Sequence, residues 1–383
     1  MNHALIPPTI KEARDARLKQ RTVMQREPLA APVEPPAAPA SDLLIADLTI
    51  AARLKGREAD YQRLMASPDG LLGESTGYHT IDDATLGLQS EVVYIHGAFA
   101  HGGKTSLMLA MMRRMAKRWE RESNKKAVLF FSLDQTASSM VDRLLSIEEH
   151  RPTVVIDEHW LEFCHKDYPW MNRIFLVGRE SFEKIAGENS VQNIALWLRR
   201  LQDAGYEVPV VIVDYIQIMS RWLEIDNPTI AAEVVADSLK TIAEQAHVAM
   251  WLGSVLRTPN TPGKRSLDQL GADLLRWSRE LENMADVILV SAPIQEHVDE
   301  KGGMLYGGKW VKIRRGQSLL LNRQVTLALK VTTGQLFDSV DLLRQGKQGL
   351  SQDFFDTYLY ERQGNEYVAR YNPKRRFSVP AGA

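Results

Sequence analysis

Lys104, Thr105 and Ser106 follow two glycines, Gly102 and Gly103, and residues of these types in this order are suited to holding phosphate. An apolar run, Val92-Val93-Tyr94-Ile95, precedes them, and a helical pattern begins near Thr105. Strand, glycine-bearing loop, Gly-Lys-Thr and helix is the context that a phosphate-binding P-loop requires. Backbone N–H groups of such a loop converge on phosphate oxygens, and the helix N-terminus adds the positive end of its dipole. Lys104 would neutralise the β- and γ-phosphates of a nucleotide, and the Thr105 hydroxyl would hold Mg²⁺. The loop departs from the strict pattern, because Ala98 stands six residues before Lys104 where glycine is usual, with Gly97 one place early.

Two other runs end in carboxylates. Val210-Val211-Ile212-Val213 leads into Asp214, followed by Tyr215-Ile216-Gln217-Ile218-Met219. A carboxylate at the C-terminal edge of a strand beside a P-loop can orient Mg²⁺ through water. Val128-Leu129-Phe130-Phe131-Ser132 leads through Leu133 to Asp134, directly after the P-loop helix. Asp134 reads either as a base that orients an attacking water or as the cap of a helix starting near Ala137. A basic group, Lys312-Ile313-Arg314-Arg315-Gly316, sits between two β-rich runs.

These residues need a scaffold that brings strand ends together, and the rest of the pattern predicts one. Strands are expected at Val92–His96, Val128–Ser132, Ile174–Val177, Val208–Asp214, Val248–Gly253 and Val287–Ser291. Helical patterns lie between them at Thr105–Arg121, Ala137–Ile147, Val191–Ala204 and Ala231–Ala246. Continuous apolar strands alternating with helices imply an α/β fold with a mostly parallel sheet covered on both faces. Trp310–Ile313 and Val325–Val331 then read as a C-terminal hairpin around Arg314–Gln317. The expected divisions are a tail at 1–40, a helix within 41–70, a main domain at 71–340 and an extension at 341–383.

The tail is basic from Lys11 to Arg26 and then Pro/Ala-rich, so it reads as a semi-extended tether, either inert or a docking arm for a partner or nucleic acid. Ser41-Asp42 would cap a helix through about Met65 whose stripe of Leu44, Ile45, Leu48, Ala51, Ala52 and Leu54 needs a partner surface. The end, Asn372–Phe377, reads as a solvated basic terminus. With a net charge of −1 over 383 residues, nucleic-acid binding must come from a local basic surface. The single cysteine, Cys164, leaves no internal disulfide and reads as a buried structural thiol. No apolar run is long enough to cross a membrane and no signal-peptide core is present, so the expectation is a cytoplasmic protein without membrane partners.

Taken together, these motifs resemble the ATPase domain of the DnaB-type replicative hexameric helicases, a branch of the RecA-like P-loop fold. The resemblance runs from Thr76-Gly77-Tyr78-His79-Thr80-Ile81-Asp82-Asp83 to about Asp338. In this family the first P-loop position is often Ala, as at Ala98. Phe131-Ser132-Leu133-Asp134, with Met140 and Arg143-Leu144-Leu145, is similar to the block holding the family's catalytic glutamate. Asp214-Tyr215-Ile216-Gln217-Ile218-Met219 is similar to its Walker B signature, and Lys312-Ile313-Arg314-Arg315-Gly316 to its Lys-x-Arg-x-Gly hairpin.

The resemblance implies a homo-hexameric ring that binds ATP and Mg²⁺ between subunits, translocates on single-stranded DNA and unwinds duplex, with the linker helix of 41–70 packed on a neighbouring subunit and the tail open to a loader or replication partner. Ala98, Gly102, Gly103, Lys104, Thr105, Ser106 and Asp214 would bind nucleotide and metal, and Asp134 would orient water. Arg314 and Lys312 would reach the neighbour's γ-phosphate, where a guanidinium stabilises developing charge. The segments Ser220–Asn227 and Arg257–Arg265 would face DNA, with Arg257, Lys264 and Arg265 on its backbone.

Three departures stand out. Asp134 is one methylene shorter than the family's Glu, Ser254 replaces a sensor that is usually Gln, and residues 1–70 have no counterpart of the N-terminal collar domain. They leave two other readings open: a RecA-like ATPase that loads, remodels or recombines DNA without processive unwinding, and a hydrolysis-weak ATP-binding ring.

Overall fold

The computed structural model describes residues 70–99, 102–185, 191–223, 225–257, 269–298 and 303–338, isolated positions between 50 and 67, and the backbone of four short strands at 264–266, 360–363, 366–369 and 376–378. The chain divides into two units, Met1–Tyr61 and Gln62–Ala383. In the first, Ile50, Leu54 and Glu58 are helical and exposed, four residues apart, as one stripe of a helix requires. The expected tail at 1–40 and most of the extension at 341–383 lie outside the described residues.

The second unit is built on a nine-stranded sheet. Its strands in chain order are β1 (Val93–Ala98), β2 (Lys126–Ser132), β3 (Ile174–Gly178), β4 (Glu207–Asp214), β5 (Ala249–Val255), β7 (Val287–Val298), β8 (Gly303–Ile313), β9 (Gln324–Lys330) and β10 (Gln335–Phe337), while β6 (Lys264–Ser266) lies outside it. The spatial order is β10-β9-β8-β7-β1-β5-β4-β2-β3. From β3 to β7 all pairings are parallel, and β7 to β10 form an antiparallel meander on that edge.

The parallel strands are apolar on both faces, and the alternation of side chains sorts them into two cores. Phe131, Val213, Leu252 and Val290 belong to one core, and their chain neighbours Phe130, Ile212, Trp251 and Leu289 to the other. Helix α2 (Lys104–Arg121) covers the second core through Leu107, Met108, Met111, Met112 and Met115. The first is covered by α7 (Gln192–Asp203) and α8 (Pro228–Gln245), with Ile194, Leu198, Val235 and Leu239 inward. Each fully buried Leu, Ile or Met contributes about 1.5–3 kcal/mol of transfer free energy. Upstream, α1 (His79–Thr85) packs Ile81 and Ala84 into the α2-side core.

Between β2 and β3 lie α3 (Ala137–Glu149), α4 (Thr153–Glu158) and α5 (Trp160–Cys164), and α6 (Arg179–Ile185) follows β3. The two short helices correct the expectation for Cys164. The α5 segment is one turn that buries Phe163, which leaves the Cys164 thiol exposed. The expected hairpin is also larger than the local pattern indicated. Strand β8 extends back to Gly303 because β7 and β9 pair with it on both sides, and a 3₁₀ turn, Ser318–Leu320, interrupts the link from β8 to β9. Among the described residues, no helix is long and apolar enough to cross a membrane.

Candidate nucleotide site

Strand β1 ends at Ala98, and the chain turns through Phe99 to Gly102, whose N–H donates to the Phe99 carbonyl at 2.9 Å. Ala100 and His101 lie outside the described residues. A Cβ on Gly102 would meet Phe99 O at 2.8 Å and the Ala98 Cβ at 3.0 Å, so the methyl at position 98 is accommodated because 102 has none. Gly103 caps α2 with φ +77°, a conformation strained for other residues, and a Cβ there would sit 2.8 Å from the Tyr306 ring. Ser106 follows one turn into α2 and is buried.

The loop meets β4 at Asp214, which is buried. Thr105 donates its hydroxyl to Asp214 Oδ2. Lys104 Nζ lies 3.3 Å from Oδ1 and 4.6 Å from the centroid of the Tyr215 ring. The ammonium attracts Oδ1 without hydrogen-bond geometry, so Oδ1 is buried with no donor. Gly253 on β5 leaves room for this group: a Cβ there would come within 2.9 Å of Asp214 Oδ1, Lys104 Cε and Met108 Cε. A carboxylate oxygen lacking a donor, next to a hydroxyl, offers oxygen ligands to a hard divalent cation, while the ammonium beside them suits phosphate oxygens. Among the described residues no group of three or more His, Cys, Asp or Glu side chains could hold a metal ion by itself.

Asp134 lies two residues beyond β2, whose last residue Ser132 pairs with Asp214. It is exposed and makes no hydrogen bond or ion pair with a described residue. The capping alternative fails, because Thr136 caps α3 by accepting from the Ser139 N–H at 3.3 Å. The Tyr215 hydroxyl is pushed up in pKa by burial first and by the charge of Asp134 second. Arg143 on α3 reaches Ser106 Oγ at 3.2 Å and Gln135 Oε1 at 3.4 Å.

Ser254 and Gln217 form a contact that motif reading did not anticipate. Ser254 is fully buried, and Gln217 Nε2 donates to its hydroxyl at 2.7 Å and to the Arg276 carbonyl at 3.3 Å. Gln217 Oε1 accepts from the Val255 N–H at 3.2 Å. The gap left by the short Ser254 side chain is thus spanned by an amide from the turn after Asp214. A second buried polar pair lies beneath the loop, where His96 Nε2 and Ser291 Oγ are 2.7 Å apart and His96 Nδ1 has no partner. Both border a narrow cavity lined also by Gly103, Leu107, Tyr306 and Gly308. Burial, with a smaller push from Lys104, lowers the His96 pKa to about 3.

Arg314 and Lys312 lie on the far side of the sheet order, past β7. The Arg314 N–H donates to the Asp286 carbonyl at 2.8 Å, while its side chain is exposed and makes no hydrogen bond or ion pair with a described residue. Lys312 folds back, donating to the Glu282 carbonyl, and its pKa is lowered by burial first and by Arg314 next. Arg257 is exposed at the end of β5. Lys264 and Arg265 correct the expected open loop, for their backbone is strand β6, antiparallel to Arg376–Ser378. That pairing gives the expected basic end a backbone strand partner at Arg376–Ser378. Residues 258–263 lie outside the described residues, and Ser220–Asn227 is partly a 3₁₀ turn, ending at Asn227 as the cap of α8.

The parallel sheet, the loop between β1 and α2 and the carboxylate ending β4 define an α/β P-loop protein of the RecA-like class. The chain belongs to the DnaB-like helicase C-terminal domain family, whose model matches residues 73–303. It is similar to the replicative DNA helicase DnaB of Buchnera aphidicola subsp. Baizongia pistaciae, 25% identical over 64% of this chain and 52% of the relative. It is also similar to a probable replicative DNA helicase of Trieres chinensis, 28% identical over 57% of this chain and 47% of that one. The chain therefore spans about half the length of the curated relatives it matches. Among solved structures, an isolated ATPase domain superposes with a TM-score of 0.58 at 20% identity, covering 76% of this chain and 98% of that one. A DnaB-like replicative helicase studied with its primase interactions gives 0.55 at 18% identity, covering 85% and 75%.

Proposed function

We propose that this chain is an ATP-driven motor that assembles as a ring, hexameric as in its family, translocates on single-stranded DNA and separates duplex. The observation that carries the reading is the meeting of Lys104, Thr105 and Asp214 at one sheet edge, with Asp134, unpaired among the described residues, just past the neighbouring strand β2. Lys104 and the N–H groups at the start of α2 bind the ATP phosphates. Thr105 and Asp214 would hold Mg²⁺, which when bound neutralises charge on the phosphates. Asp134 is free to orient water and accept its proton. The exposed Arg314, with Lys312, serves the neighbouring subunit's nucleotide, since nothing among the described residues of its own chain claims its side chain. Arg257 and the basic strand at Lys264 and Arg265 are the assigned DNA contacts.

The deciding experiment is ATP turnover with and without single-stranded DNA. Wild type is expected to be stimulated, Lys104→Ala to be inactive, and Arg314→Ala to bind ATP without hydrolysing it. Mixing the two inactive variants should restore part of the activity, because hybrid interfaces pair an intact loop with an intact arginine. An unstimulated, near-zero wild-type rate would instead favour a hydrolysis-weak ring, a reading supported by the short reach of Asp134. Strand displacement on a tailed duplex separates a helicase from an ATPase that only loads or remodels DNA.

A further inference from the structure

The loop from β2 to α3 is tied down on both sides of Asp134. Before it, the Leu133 N–H donates to the Asp214 carbonyl at 2.8 Å. After it, the Gln135 carbonyl accepts from the Ser132 hydroxyl and the Arg179 N–H, both at 3.1 Å. The Gln135 side chain is held in turn by Arg143, whose Nη1 donates to Oε1 at 3.4 Å while Nη2 donates to Ser106 Oγ at 3.2 Å. One planar fork thus joins the residue next to Asp134 to the first turn of the P-loop helix.

Arg143 is half-buried and forms no ion pair among the described residues; its partners are neutral. Burial lowers its pKa, and the nearby charge of Asp214 opposes that shift. A guanidinium removed from water without a carboxylate partner is costly to the fold. Packing alone would be served as well by an apolar side chain, so the two directed hydrogen bonds account for a cation at this place.

We propose that Arg143 is the positioning residue of the water-orienting carboxylate, tying Gln135, and through it Asp134, to Ser106 of the P-loop helix. The inference rests on Asp134 serving the nucleotide site. Asp134 reaches one methylene less far than a glutamate, so its carboxylate depends on where the loop is held, and a slip of about 1 Å can cost on the order of a hundredfold in rate. Lysine cannot replace the fork, because a point ammonium on a flexible stem does not fix two acceptors in one orientation.

The test is a double-mutant cycle in the full chain, reading kcat for ATP and, separately, affinity for a fluorescent ATP analogue. Arg143→Ala is expected to lower kcat roughly ten- to a hundredfold with nucleotide affinity unchanged. Arg143→Lys should follow the alanine variant. In the Asp134→Ala background, Arg143→Ala should lower kcat no further, because the group it positions is gone. A wild-type kcat in Arg143→Ala, a loss of affinity in place of turnover, or additive losses in the double variant would overturn the proposal while leaving the site intact. A wild-type rate in Asp134→Ala would overturn the site assignment and the proposal with it. Should Arg143→Ala fail to fold, Gln135→Ala cuts the same tie from its other end and carries the same expectations.

Discussion

Asp214 ends strand β4, Asp134 lies two residues past the neighbouring strand β2, and the two have opposite surroundings. Asp214 is buried and engaged, with Thr105 on one oxygen, Lys104 beside the other, and Gly253 leaving room for the group. Asp134 is exposed and its carboxylate is unclaimed among the described residues, although the backbone on either side of it is pinned. A carboxylate that must stay ionised against a cation gains from burial among positive and hydroxyl groups. One that must meet an attacking water gains from an open face and a fixed backbone. The contrast fits the proposed division of labour, with charge holding at the first and water orientation at the second.

The largest expected effect comes from dissolving the engaged half. Lys104→Ala should remove nucleotide binding and turnover together, read by analogue titration and phosphate release, because Asp214 then lacks its counter-charge. Asp134→Ala should separate the two measurements, leaving affinity intact while kcat falls by roughly 10²–10⁴, the usual worth of a general base. Asp134→Glu sharpens the comparison, since a rise in kcat would show that reach limits the rate. Gly253→Ala should disturb only the engaged carboxylate. Its methyl would press on Asp214, Lys104 and Met108 at once, lowering stability by about 1–3 kcal/mol and weakening nucleotide binding.

The smallest effect concerns His96, beneath the loop. Its pKa in the fold, about 3, lies below the ordinary 6.5, so the unfolded chain accepts a proton that the native site refuses. The stability linked to it is complete above pH 6.5 and is lost as pH falls toward 3. The slope cannot exceed about 1.4 kcal/mol per pH unit for one proton. Thermal midpoints should therefore drop more steeply below pH 6.5 in wild type than in His96→Gln, and equal slopes would show that the ring titrates normally.

Much of this comparison was legible in the chain itself. The parallel strands and the main helices fall close to their expected places, because runs such as Val210–Val213 carry their own periodicity and burial. The residues of the phosphate loop and Asp214 could be found because their chemistry is local in sequence. What was not legible depends on partners far along the chain. Strand β8 is longer than its apolar stretch because β7 and β9 complete its hydrogen bonds, and Lys264–Arg265 is strand because residues near the C-terminus pair with it. Gln217 could be read as part of a motif, yet its task emerges only where Ser254 packs against it. Cys164 misled because an apolar neighbourhood in sequence does not say which side of a single helical turn faces inward. The cap of α3 was ambiguous between Asp134 and Thr136, and only backbone direction decides between them.

Strand β8 touches both ends of the proposed chemistry. Tyr306 on it lies against Gly103 of the chain's own phosphate loop, and Arg314 leaves it just past Ile313. Eight residues of extended chain separate the two by roughly 25 Å. Strand β9 pairs with β8 as far as Lys309 and β7 as far as Ile313, so most of this connecting rod is held by neighbours. A displacement of the loop that pushes Tyr306 would press on the same strand that carries Arg314 past its end. In a ring, that would set the timing between adjacent seats by the length of a piece of backbone.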